Sequence, residues 1–566
     1  MRTRLLLPAL FILTLVSGIA VGSWMPRDDT FFALRKNFQI FGAVYEELVG
    51  GYVDPLDPER FMRTGLDAML EDLDPYTTFI DEADNADIDI MTRGRYGGVG
   101  LNVGLRGGKL TVIAPVEGAS GFRQGVRTGD VITHIAGQPT AGLSQREVGT
   151  LLRGEPGTTV EIRVEREGVP EPLTFVLTRE QVRLRNVTYA GFVRDDTAAG
   201  IGYVKLERFA RDAAPEVRRA IQDLEQTGAL RGLVLDLRDN PGGLLDAAVE
   251  ITQLFVPQGS VIVSTRGRLP ETERVYRSKL PPLVPDLPLA VLINEFSASA
   301  SEIVAGAVQD LDRGVIVGTT SFGKGLVQVI RPLPHNTSLK MTTSRYFTPS
   351  GRSIQALDYG RHDGTATAIP DSLRRTFRTR NGRAVQDGRG IEPDVTVSPG
   401  PPSELEEALL RRAAFFFFAN AYVARHPLPD ATARDERTFD PDDPAFALDM
   451  DAVLAEFQRW LQTQDFSYRT AAERATASLS AELAEIGYDA AQDEVAALER
   501  AIREEKQADF ARHADRLKDR LRTEILARYL GETAQIKAAL HDDPTLDRAL
   551  GLLADPAAYT ALLDTP

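Results

Sequence analysis

Apolar residues recur three and four positions apart at Phe31, Phe32, Leu34, Phe38, Phe41, Val44, Tyr45 and Leu48, the spacing of a helix with one apolar face. The pattern breaks at Val53, Asp54 and Pro55 and resumes over 61–73, which predicts a small helical domain over 30–90. Its stripes suit a core or a contact between copies of the chain. From 91 to 178 the period changes to two. Short apolar runs at 99–103, 110–113, 131–135 and 160–164 alternate with Gly-rich turns, the pattern of a compact strand-rich module. Over 179–398, strand-like runs at 202–206, 233–237, 289–293 and 315–317 alternate with helical stretches at 213–226, 244–255 and 301–311. That alternation predicts an α/β core with helices covering a sheet. Pro401 and Pro402 mark a boundary, and 403–566 reads as helical, interrupted by a Pro/Asp-rich stretch at 427–444. The phenylalanine run at 415–418 is too short, and too close to Arg411 and Arg412, to cross a membrane, so it is expected in a core.

The first residues follow a different rule. Arg2 and Arg4 precede an apolar run over 5–16, continued by small residues that include Ala20, Gly22 and Ser23. This is the pattern of an export signal over 1–23, and its length leaves open a cleaved signal peptide or a retained membrane anchor. Either way the remainder is expected outside the cytoplasm, periplasmic or tethered to the membrane. Among 566 residues, 81 are acidic and 65 basic, a net charge of −16 that disfavours nucleic acid as a partner. The absence of cysteine excludes disulfides, thiolate metal sites and cysteine nucleophiles.

Three segments carry candidate chemistry. At 292–303 an apolar strand runs through small residues, Ser297, Ala298, Ser299, Ala300 and Ser301, into a helical pattern. Such a junction can expose a hydroxyl where the free N–H groups of a helix start gather, as an oxyanion requires. Taken alone, a Ser-rich helix start is more often an N-cap. At 321–330 Gly323 and Gly325 flank Lys324, and strand alternation is expected to put Lys324, Leu326, Gln328 and Ile330 on one face. A lysine serves as base only where its neutral amine is populated. Finally, the strand at 233–238 ends in Asp239, Asn240, Pro241, Gly242 and Gly243, where paired glycines let backbone approach a ligand. None of the six histidines lies in a convincing triad motif, although His335 is near the lysine strand, and no His-Glu-x-x-His zinc pattern occurs.

Taken in order, these segments resemble the carboxyl-terminal processing, or tail-specific, serine proteases. The resemblance runs from Leu73, Asp74, Pro75, Tyr76 and Thr77 through Tyr96 to Gly100, Gly125 to Ile132, Asp236 to Gly243, Ser297 to Glu302, Gly323 to Gly325 and Tyr346 to Arg352. It implies a multidomain α/β serine protease core over 179–398, an inserted PDZ domain over 91–178, and helical segments at either end. It further implies Ser299 as nucleophile, Lys324 as general base and Gln328 orienting the lysine. The N–H of Ala300 with that of Gly242 or Gly243 would form the oxyanion hole. Gly98, Val99 and Gly100 would bind the free C-terminus of a protein or peptide substrate, and no metal or organic cofactor is needed. An insertion over 356–389 and the helical tail fall outside the resemblance. The rivals are a peptide-binding scaffold with a dead site and a different hydrolase on the same core.

Overall fold

The computed structural model describes residues 29–82, 90, 92–359, 366–398, 400–427 and 448–564, so the segment over 1–23 lies outside them. Two compact units divide between Phe79 and Ile80. In the first, α1 (Asp29–Gly51) and α2 (Pro58–Glu71) meet where Tyr45 stacks on Phe61 and donates its hydroxyl to the Pro58 carbonyl at 2.7 Å. Asp57 caps α2 by accepting from the Glu59 and Arg60 N–H groups. Phe32, Phe38 and Val44 are exposed, so the stripe of α1 is not core. The helical reading also runs too far. Past Glu71 the chain turns, because Asp74 accepts from the Tyr76 and Thr77 N–H groups and Pro75 donates none.

The second unit opens with a strand-rich module. Its strands are β1 (Arg95–Gly98), β2 (Leu101–Arg106), β3 (Lys109–Pro115), β4 (Val131–Ile135), β5 (Thr159–Glu165), β6 (Leu173–Thr178) and β7 (Glu180–Arg183), with α3 (Gln145–Leu152) between β4 and β5. The sheet order is β2-β3-β4-β5-β6, with β1 paired separately to β7. Alternation works as expected in β5, where Val160, Ile162 and Val164 are buried and their neighbours exposed.

The α/β core carries β8 (Val187–Phe192), β9 (Ile201–Leu206), α4 (Ala213–Thr227), β10 (Gly232–Asp236), α5 (Leu245–Thr252), β11 (Val261–Gly267), β12 (Arg274–Arg277), β13 (Leu289–Ile293), α6 (Ala300–Asp310), β14 (Val315–Gly318), β15 (Leu326–Pro332), β16 (Ser338–Phe347) and β17 (Val395–Thr396). Its central sheet runs β8-β9-β10-β13-β14-β17, antiparallel between β8 and β9 and parallel thereafter. Strands buried on both faces read as unbroken apolar runs, and Leu233, Val234, Leu235 and Leu289 to Ile293 are all buried. One face is covered by α4, α5 and α6. The other is covered by the end of the chain. A second sheet, β12-β11-β16-β15, is antiparallel.

The longer helices that follow are α7 (Glu404–Arg411), α8 (Ala414–Arg425), α9 (Met450–Thr463), α10 (Ala471–Ile486), α11 (Asp489–Gln507), α12 (Ala514–Tyr529), α13 (Glu532–Ala539), α14 (Pro544–Ala554) and α15 (Pro556–Asp564). Phe415 and Phe418 are buried and pack against Phe457, the core role expected of the phenylalanine run. No described helix is long and apolar enough to cross a membrane.

Candidate active site

The turn between β13 and α6 uses its serines unequally. Ser297 and Ser301 are fully buried. The Ser297 hydroxyl donates to the Leu237 carbonyl at 2.8 Å and accepts from the Asn294 N–H at 2.9 Å, while the Ser301 hydroxyl donates to the Asn240 carbonyl at 2.8 Å. Both are struts tying the turn to the end of β10. Ser299, between them, is partly exposed and sits at φ 57°, ψ −111°. Such a conformation costs a non-glycine residue about 1–3 kcal/mol and persists only where its surroundings over-determine it.

Those surroundings begin with Glu302, fully buried on the first turn of α6. Its Oε2 accepts from the Ser299 N–H at 2.7 Å and the Lys324 N–H at 3.0 Å; its Oε1 accepts from the Ser321 hydroxyl at 2.6 Å and the Gly323 N–H at 2.7 Å. Burial pushes this carboxyl up to about 7, against the pull of the donors on it. From the other side the buried Tyr346 hydroxyl on β16 lies 3.1 Å from the Ser299 carbonyl and 2.6 Å from that of Lys324. One carboxylate oxygen therefore joins the two N–H groups, and one phenol joins the two carbonyls.

Lys324 is half-buried just before β15. Its flanking glycines are required by close packing: a Cβ on Gly323, at φ 86°, would lie 2.4 Å from Ala356 Cβ, and one on Gly325 would lie 2.9 Å from the Gln355 nitrogen. Gln328 follows on β15, where Nε2 donates to Thr342 Oγ1 at 3.2 Å. The ladder has a bulge here, with Val327 opposite Ser344 and Gln328 opposite Thr342, so the extra residue, Thr343, lies on β16. His335 sits in the turn joining β15 to β16, at the opposite end of β15 from Lys324.

The third segment closes the site. Asp239, at φ 62°, exchanges hydrogen bonds with the Asn294 side chain, and the Ala298 N–H donates to the Asn240 carbonyl. A Cβ on Gly242 would lie 2.9 Å from both Ser299 Cβ and the Ala300 nitrogen, so a side chain there would fill the space beside the serine. The Gly242 N–H donates to Asn240 Oδ1 at 2.9 Å. The N–H groups of Ala300 and Gly243 have no acceptor among the described residues.

Gly98, Val99 and Gly100 lie in the strand-rich module at the junction of β1 and β2, all buried. Gly100 takes φ 72°, and a Cβ there would lie 2.2 Å from Ala119 Cβ. β2 is an edge strand of its sheet. Sequence reasoning gave Glu302 and Tyr346 no role, although both stand in segments that carry the resemblance. The available signal for Glu302 was an acid three residues after Ser299, which reads equally well as a helix-capping residue.

Residues 200–360 match Peptidase family S41, and residues 405–553 match a C-terminal helical domain described as "Probable PDZ-protease, C-terminal helical domain". A carboxy-terminal-processing protease of Bartonella bacilliformis is 39% identical over 325 residues, which cover 57% of this chain and 73% of that protein. A carboxyl-terminal-processing protease of Synechocystis sp. is 32% identical over 355 residues, covering 62% and 81%. Among solved structures, a photosystem II D1 C-terminal processing protease is 27% identical, covers 66% of this chain and 88% of its own, and aligns with a TM-score of 0.37. The chain belongs to the carboxyl-terminal-processing proteases of Peptidase family S41 and is a serine-type hydrolase.

Proposed function

We propose that this enzyme is an endopeptidase that cuts exported proteins near their C-termini with a Ser299–Lys324 dyad. The observation that carries this reading is the double staple of Glu302 and Tyr346, which holds the backbones of these two residues together although 25 positions separate them. The neutral Lys324 amine takes the Ser299 proton as Oγ attacks the peptide carbonyl, then passes it to the leaving amine. Water repeats the sequence on the acyl-enzyme. The N–H of Ala300 receives the oxyanion together with a glycine of the 242–243 pair. Gly243 suits the second position, since the Gly242 N–H is held by Asn240. Gln328, anchored on Thr342, is assigned to orient the lysine.

Residues 91–178 act in this reading as an inserted PDZ domain. The free carboxylate of a substrate binds at Gly98 to Gly100, and its extended tail adds to the open edge of β2. The domain limits are 30–90, 91–178, 179–398 with its insertion at 356–389, and 403–566, with 1–23 directing export to the periplasm or anchoring the enzyme outside the cytoplasmic face. The exposed stripe of α1 is assigned to self-association.

The test is a set of kinetic measurements on folded Ser299→Ala, Lys324→Ala, Lys324→Arg and the Ser299/Lys324 double variant. All four should fall to near background, the double no lower than the singles, because the two groups act as one. Ser297→Ala and Ser301→Ala should keep far more activity. Substantial turnover by Lys324→Arg, whose guanidinium stays protonated, would sink the reading.

A further inference from the structure

The strand that delivers the 239–243 loop is gripped from a position 305 residues further along the chain. Asp236, at the end of β10, is fully buried and accepts from the Tyr203 hydroxyl at 2.6 Å and the Arg238 N–H at 2.8 Å. Burial tends to raise its carboxyl, but the Arg238 guanidinium and Lys205 ammonium outweigh burial and hold it well below the usual range. Lys205 also donates to the Arg238 carbonyl at 2.7 Å. The Arg238 fork is divided between two carboxylates. Nε and Nη2 donate to Asp236 at 3.0 and 2.6 Å, whereas Nη1 and Nη2 donate to Asp543 at 3.0 and 2.6 Å. Asp543 belongs to the C-terminal helical domain, where it caps α14 by accepting from the Thr545 and Leu546 N–H groups.

With Asp543 in place, two cations, Lys205 and Arg238, face two anions in a largely buried cluster. Without it one carboxylate faces two cations and Nη1 loses its carboxylate, which favours swinging the guanidinium toward water. The next residue, Asp239, begins the loop that is bonded to the Ser299 turn through Asn294 and Asn240. We propose that Asp543 is a positioning residue for peptide hydrolysis: by completing the Arg238 fork it fixes the end of β10, and with it the backbone donors of the 242–243 pair beside Ser299. The inference rests on the assignment of Ser299 and this loop to the reaction.

Asp543→Asn and Asp543→Ser keep a good helix cap while removing the charge, and serine is also too short to reach Arg238. Asp547→Asn is the control: it breaks the pair that the same helix makes with Arg194, remote from the loop. Measured on the full chain with one peptide substrate, both Asp543 variants should lose about 10-fold in kcat with KM little changed, the cost of a misplaced reacting geometry. Asp547→Asn should keep its kcat. Unchanged kcat in the Asp543 variants, a change in KM alone, or an equal loss in Asp547→Asn would each overturn the role. Ser299→Ala is run beside them. If it is active, the assignment of the reaction falls and the inference with it; if it is inert while the Asp543 variants are unimpaired, the positioning role alone falls.

Discussion

Two short stretches of this molecule owe their shape to opposite causes. The Ser299–Lys324 junction is held by buried polar side chains, chiefly Glu302 of α6 and Tyr346 of β16. The Gly98–Gly100 stretch is held by backbone hydrogen bonds: the Gly100 carbonyl accepts from the Val116 N–H, and that of Val99 from the Gly121 N–H. There the fit depends on atoms that are missing, since a Cβ at Gly100 would overlap Ala119. The first stretch should break when polar side-chain atoms are removed, and the second when atoms are added in place.

The largest effect is expected from Glu302→Gln. An amide cannot accept from four donors, so activity should fall about 100-fold through displacement of the dyad, and the melting temperature should drop as a buried network is left half-satisfied. Retained activity would show that the staple is dispensable.

The same residue sets a pH test whose two readouts move oppositely. Its ordinary value is 4.5 and its folded value about 7, so as pH rises the unfolded chain releases this proton first. Glu302 therefore contributes a stability that is full below about 4.5, declines as pH rises towards about 7, and is flat above. The difference in melting temperature between the native enzyme and Glu302→Gln should narrow across that window. Activity should rise around pH 7, where the folded carboxyl ionises, because only the ionised carboxylate accepts from all four donors. A widening difference would refute the assignment.

Tyr346→Phe should act more mildly, leaving the Ser299 and Lys324 carbonyls without their phenol at a cost of about 1 kcal/mol and about 10-fold in kcat. Gly100→Ala should have the smallest and most selective effect on turnover. It strains the backbone by about 1–3 kcal/mol and should slow cleavage of a peptide with a free C-terminus while sparing its amidated twin. Equal slowing of both would remove the carboxylate role from this stretch and erase the contrast.

What could be read from the sequence was whatever neighbouring residues decide. Period-two runs gave β5, unbroken apolar runs gave β10 and β13, and small residues between a strand and a helix marked Ser299. Partners brought together by the fold left no local trace. Tyr346 heads a segment of the resemblance but nothing local pairs it with Ser299 or Lys324, and the Arg238–Asp543 pair joins segments with no pattern in common. A bulge likewise leaves no sign in the alternation, as at Thr343 of β16 opposite the step from Val327 to Gln328.

The covering of the central sheet has a consequence for the order of assembly. Tyr203, Val234, Ala290 and Leu292 on one face pack against Leu546, Ala549, Leu552 and Leu553 of α14. A chain emerging from its N-terminus can pair β9, β10 and β13 long before those leucines exist, and until they arrive that face has only water to meet. Contacts of such long sequence separation form late and leave apolar surface open to aggregation. Holding the unfinished chain apart from its neighbours is then a requirement of biosynthesis, imposed by where the last helices sit.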